Sequence, residues 1–86
     1  MAGVDDVRDG IARAKVKAEE ALTAIQQAGL ALDEAQSMLV EATQGSGQDE
    51  ILQSRNMLVD ATQNLQLVQG TVRNSISSAE GYAGRL

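Results

Sequence analysis

The chain has 86 residues, no Cys, His, Pro, Trp or Phe, a single Tyr and a net charge of −5. This length holds one small domain, and neither a disulfide nor the Cys and His ligands of a zinc site can staple it. The acidic balance also excludes the clustered Lys and Arg on which phosphate binding runs, so nucleic acid is not an expected partner.

The N-terminal segment Met1-Ala2-Gly3-Val4-Asp5-Asp6 lacks the basic-then-apolar layout of a signal peptide. No apolar run approaches the roughly 20 residues that cross a bilayer. The expected setting is the cytoplasm, or export without a general secretory signal, with no membrane partner. Arg8, Arg13, Lys15 and Lys17 lie close together, but Asp5, Asp6, Asp9, Glu19 and Glu20 surround them. That mixture reads as a solvated helix face.

A first helix is expected over about residues 4–43. Val4, Val7, Ile11, Ala14, Ala18, Ala21, Ile25, Ala28, Leu32, Ala35, Leu39 and Ala42 follow one another in alternating steps of four and three. An unbroken heptad of this kind marks a helix packed along its length against another. One set of seam positions carries the bulk, and the other is almost entirely Ala. The turn is expected at 44–48, where Gly45 suits the left-handed position past a helix end. Ser46 with Asp49 has the form of a capping box.

A second helix is expected over about residues 49–84. Its seam is Ile51, Ser54, Leu58, Ala61, Leu65, Val68, Val72, Ser75, Ala79, Tyr82 and Leu86. Two long helices with a short connection are antiparallel neighbours. The expected fold is therefore all-α: residues 1–86 as one antiparallel two-helix hairpin, coiled-coil-like, with an Ala-rich seam. Zipped from the turn, the seams set Ala35 by Leu58, Leu32 by Ala61, Ala28 by Leu65, Ile25 by Val68, Ala21 by Val72 and Ile11 by Tyr82. The seam residues expected to hold the hairpin closed are Ile11, Ile25, Leu32, Leu39, Ile51, Leu58, Leu65, Val68, Val72 and Tyr82. Farther from the turn, Ala14, Ala18, Ser75 and Ala79 meet with no bulk between them, so either the helices approach closely or a third element fills the gap.

Large apolar residues remain off the seam: Val16, Leu22, Leu30, Met38, Val40, Leu52, Met57, Val59, Leu67 and Ile76. The first nine are the candidate partner interface. Met38, Val40, Leu52, Met57 and Val59 are expected to form one patch near the turn. An apolar patch this dense on so small a chain points to a second interface. The implied partner is a protein: a second copy, giving a four-helix bundle, or another helical hairpin. Met38 to Gln44 recurs nearly unchanged as Met57 to Gln63, which reads equally as a short duplication or as convergence on one packing solution.

No catalytic, cofactor or metal site is expected, and the chain does not read as an enzyme. Glu19-Glu20 and Asp33-Glu34 lie on the outer face of the heptad, and the Glu-x-x-His units of di-metal bundles are missing. Gly45-Ser46-Gly47 lacks the Gly-Lys-Ser/Thr of a phosphate loop. The Ser and Thr residues have no His base to activate them.

Over nearly its whole length the chain resembles a group of short actinobacterial helical hairpins. The resemblance rests on the Ala- and Gln-rich heptads, on Ala-Thr-Gln-Gly-Ser-Gly-Gln (Ala42 to Gln48) and on Ala-Glu-Gly-Tyr-Ala-Gly-Arg-Leu (Ala79 to Leu86). Similar segments stand alone or precede the toxin domain of polymorphic toxins, deaminase toxins among them. More distantly the architecture is similar to ESX-like hairpins exported by type VII secretion, although Gly45-Ser46-Gly47 replaces their Trp-x-Gly turn. Tyr82 is followed four residues later by Leu86, where those proteins have an acid. The resemblance implies a role in export or in presenting a toxin, without an activity of its own. The expected function is a non-enzymatic helical interaction or oligomerisation module, with a membrane-surface or regulatory coiled-coil protein as the alternative.

Overall fold

The computed structural model describes residues 3–44 and 47–86, in which two helices pack against each other. They are α1, Val4–Ala42, and α2, Asp49–Gly84. Both are built from residues that lose little side-chain freedom in a helix, with no Pro to interrupt either. Each opens on two acids, Asp5 and Asp6 in α1 and Asp49 and Glu50 in α2. Negative charge there is favoured by the positive end of the helix dipole. At the start of α1 the Gly3 N–H donates to the Asp6 carboxylate at 3.4 Å. At its end both the N–H and the hydroxyl of Thr43 donate to the Leu39 carbonyl, at 3.1 and 2.6 Å. Gln48 precedes α2 in an extended conformation, with no side-chain capping bond. The expected left-handed Gly45 and the Ser46 cap lie outside the described residues.

The helices are antiparallel, and the bonds between them show it by descending along α2 as they ascend along α1. Arg8 Nε donates to the Ala83 carbonyl at 3.3 Å, Lys15 Nζ to Glu80 at 3.2 Å, and Gln36 Nε2 to the Thr62 hydroxyl at 3.4 Å. The result is a rod of 64 × 18 × 16 Å with a radius of gyration of 19.4 Å. A globule of this length would have a radius of gyration of about 12 Å. A two-helix rod has no interior, and among the described residues none is fully buried.

The half-buried residues define the true contact between the helices. On α1 they include Ile11, Lys15, Ala18, Leu22, Ile25, Gly29, Leu32, Gln36, Leu39 and Thr43. On α2 they include Ile51, Leu58, Thr62, Leu65, Gln69, Val72, Ile76, Ala79 and Ala83. The bulky column of each expected seam is here except for its outermost members, Val4 and Leu86, which are exposed. Along most of the other column the contact is displaced by one residue, in the same direction on both helices. Lys15, Leu22, Gly29 and Thr43 are half-buried where Ala14, Ala21, Ala28 and Ala42 were expected, and Gln69, Ile76 and Ala83 where Val68, Ser75 and Tyr82 were. Val7, Ala35 and Ala61 stay half-buried as expected, the last two beside Gln36 and Thr62.

This displacement corrects three site assignments. Val68 and Tyr82, expected inside the hairpin, are 44% and 50% exposed. Leu22, expected on a partner interface, is half-buried between the helices. Ile25, Gly29, Leu65 and Gln69 line one groove together, and Val68 is not among its lining residues.

Candidate interaction surface

Successive residues of a helix are about 100° apart around its axis, so each seven-residue column has a fixed direction. Take the bulky column (Ile11, Ala18, Ile25, Leu32, Leu39) as zero. The column of Leu22 lies about 40° to one side of it, and the column of Ala21 about 60° to the other. The hairpin contact uses the first pair, and the apolar stripe of the sequence is the second. The stripe is therefore turned away from the partner helix by about 50°. Antiparallel helices are related by an approximate two-fold axis normal to the hairpin plane, so equivalent columns emerge on the same side.

Two unlike faces result. One carries Val7, Ala14, Ala21, Ala28, Ala35 and Ala42 of α1 beside Ser54, Ala61, Val68, Ser75 and Tyr82 of α2, with no charged residue in either column. Ala14, Ala21, Ala28, Ala42, Ser54 and Ser75 are exposed, as are Val68 and Tyr82. The opposite face carries Asp5, Glu19, Asp33, Arg73 and Glu80 among its columns, and the Lys15–Glu80 ion pair at 3.2 Å borders it. The first is called the alanine face below, and the second the charged face.

The candidate partner residues do not form a single patch. Residues two apart on a helix point away from each other. Met38 and Met57, 68% and 67% exposed, flank the alanine face. Val40, Leu52 and Val59 lie on the charged face at its turn end. Val16, Leu30 and Leu67 point outward from the rod, and Leu22 is inside it.

Ile76, Gln36, Thr62 and Gln69 were not singled out by the periodicity, yet all four help to form the hairpin contact. For Ile76 and Leu22 a signal existed. Each is a large apolar residue directly following a small seam residue, Ser75 and Ala21. For the Gln and Thr residues none existed, because polar side chains at these positions read as surface.

Hollows lined by both helices lie at two places along the rod. On the charged face a shallow groove of about 300 Å³ runs beside Gly29, bordered by Asp33, Gln26 and Gln66. It holds one carboxylate among amides and offers no nucleophile paired with a base. Nearer the termini a hollow of about 90 Å³ is lined by Ala14, Ala18, Ser75 and Ala79, together with Ile11, Lys15, Ile76 and Glu80. This is where the small residues were expected to meet, and the hairpin does not fill the space itself. Among the described residues no group of acids is placed to hold a metal ion, and no helix is long and apolar enough to cross a membrane.

The chain matches no family model, no curated protein and no solved structure. The alanine face offers an uncharged, largely apolar strip in which Tyr82 is the one titratable side chain of the two columns. Such a strip can exclude water against a second apolar surface.

Proposed function

We propose that the chain is a non-enzymatic helical interaction module that associates through its unpartnered apolar stripe. The observation that supports this most directly is the rotation of that stripe. Helices in a hairpin that functioned alone would be expected to turn their best apolar columns toward each other. These helices instead place Lys15, Gln36, Thr62 and Gln69 in the contact and leave Ala14, Ala21, Ala28, Val68 and Tyr82 outside it. In a square bundle of four helices the centre lies about 45° off the direction to each neighbour, close to the 50° found here. The toxin-associated or secretion-related setting is supported by the resemblance of Ala42 to Gln48 and Ala79 to Leu86, and it supplies a context in which a module without activity is useful.

Sedimentation equilibrium combined with far-ultraviolet circular dichroism across a dilution series tests the proposal. The expected result is a discrete oligomer at micromolar concentration that dissociates on dilution into closed, helical hairpins. A monomer that keeps full helicity at every concentration would refute it.

A further inference from the structure

The repeated segment, Met38 to Gln44 and Met57 to Gln63, opens both times on a methionine. Each methionine immediately precedes a half-buried leucine, Leu39 or Leu58, and so lies about 100° from the bulky column on the side of the alanine face. The bonds from Lys15 to Glu80 and from Gln36 to Thr62 align the helices so that Met38 and Met57 stand within about one helical turn of each other along the rod. They are the large apolar members of the two columns that edge the alanine face, whose other members include Lys17, Ala31, Asn64 and Thr71. One methionine therefore stands on each edge of the face, and they are 68% and 67% exposed. The sequence holds no Cys, His or Trp, so thioether sulfur is its most readily oxidised side-chain atom.

From this placement we infer that Met38 and Met57 are a paired oxidation site, at which a hydroperoxide converts both thioethers to sulfoxides and withdraws the alanine face from association. This adds regulation to the interaction-module reading and rests on it. In the reaction, sulfur attacks the terminal oxygen of the hydroperoxide. An S–O bond forms and the O–O bond breaks, with sulfur giving up two electrons. The hydroxyl proton passes to the leaving oxygen, which departs as water or an alcohol. Each product side chain carries a strong hydrogen-bond acceptor where an apolar atom stood. In the free hairpin water satisfies that acceptor, because both methionines lie outside the contact between α1 and α2. Against a second apolar surface the acceptor loses water and gains no donor, which is costly. With one such group on each edge, a covering surface meets both.

Pure protein treated with hydrogen peroxide and analysed by peptide mass spectrometry is expected to gain one oxygen at Met38 and one at Met57. Sedimentation of the oxidised protein is expected to show association weakened at least about 10-fold, with recovery after treatment by methionine sulfoxide reductases. Met38→Leu combined with Met57→Leu removes both sulfurs, and its association is expected to be the same before and after peroxide, within about 3-fold. Met38→Gln combined with Met57→Gln places polar groups at the same points and is expected to associate as weakly as the oxidised protein. Leu and Gln are good helix formers, so both variants retain the hairpin. Oxidised protein that associates as well as the reduced form overturns the inference and leaves the interaction module standing. So does a double Leu variant that peroxide still weakens, or a dilute oxidised hairpin that loses helicity. Reduced protein that never associates removes both.

Discussion

Leu22 and Leu30 separate the observed helix contact from the one that periodicity suggests, because both lie off the regular apolar stripe. Leu22 is half-buried between the helices, whereas Leu30 is 64% exposed. Full burial of a Leu side chain is worth about 1.5–3 kcal/mol. Half of that burial, less the few tenths by which Ala is the better helix former, gives a cost near 1 kcal/mol for Leu22→Ala. No cavity penalty is added, because the site opens to solvent and water fills the space. Leu30→Ala forfeits little burial, and the helix-propensity gain offsets most of it. Its expected effect is within about 0.3 kcal/mol of zero. Urea unfolding at one fixed protein concentration reads the difference. With a slope of about 1–2 kcal/mol/M, Leu22→Ala lowers the midpoint by about 0.5–1 M and Leu30→Ala leaves it nearly unmoved. Equal midpoints for the two variants, or a larger loss at Leu30, would mean that α1 is not rotated as described.

Two further outcomes follow from local geometry. A Cβ added at Gly29 or Gly70 meets nothing within 4 Å, so Gly29→Ala and Gly70→Ala recover the helix propensity that glycine forfeits. Each is expected to stabilise by about 0.8–1 kcal/mol in urea unfolding, and destabilisation at Gly29 would show that the helices approach more closely there. The Lys15–Glu80 pair, with side chains 43% and 48% exposed, is screened by solvent. Glu80→Gln is expected to cost less than about 0.5 kcal/mol, and its effect should vanish in molar salt. A larger, salt-independent loss would point to a buried role for Glu80.

The hairpin itself was legible because its signals are local. The unbroken three-and-four spacing from Val4 to Ala42, the break at Gly45 and Gly47, and the resumption at Ile51 define two helices and one reversal. The rotation was not legible, because periodicity finds the direction of the apolar stripe and not the direction of the nearest neighbour. In an isolated pair these coincide, and in a larger bundle they differ by about 45°. Ala21 and Leu22 show the ambiguity in one step. Both are compatible with a heptad, and only the position of α2 decides that Leu22 is covered while Ala21 is exposed. The split of Met38 from Val40, and of Met57 from Val59, was in principle available, since residues two apart on a helix diverge by about 200°. Counting apolar residues near the turn obscured it.

The polar character of the hairpin contact and the apolar character of the open face have a common explanation in connectivity. Six residues, 43–48, join α1 to α2. Closing so short a loop costs little entropy, and the second helix is held at an effective concentration on the order of millimolar. Helix pairing within the chain therefore tolerates Gln36, Thr62, Gln69 and a partly covered Lys15. Association with another molecule has no tether. It must offset about 4–15 kcal/mol of lost translational and rotational freedom. Only a continuous apolar strip supplies that, and the strip on this chain lies on the alanine face. On this argument, replacing Gln69 by Leu should strengthen the hairpin contact without changing which face associates. Replacing Ala28 by Lys should leave the hairpin closed and abolish the assembly. The two contacts are thus separable by mutation, which would not hold if one stripe served both.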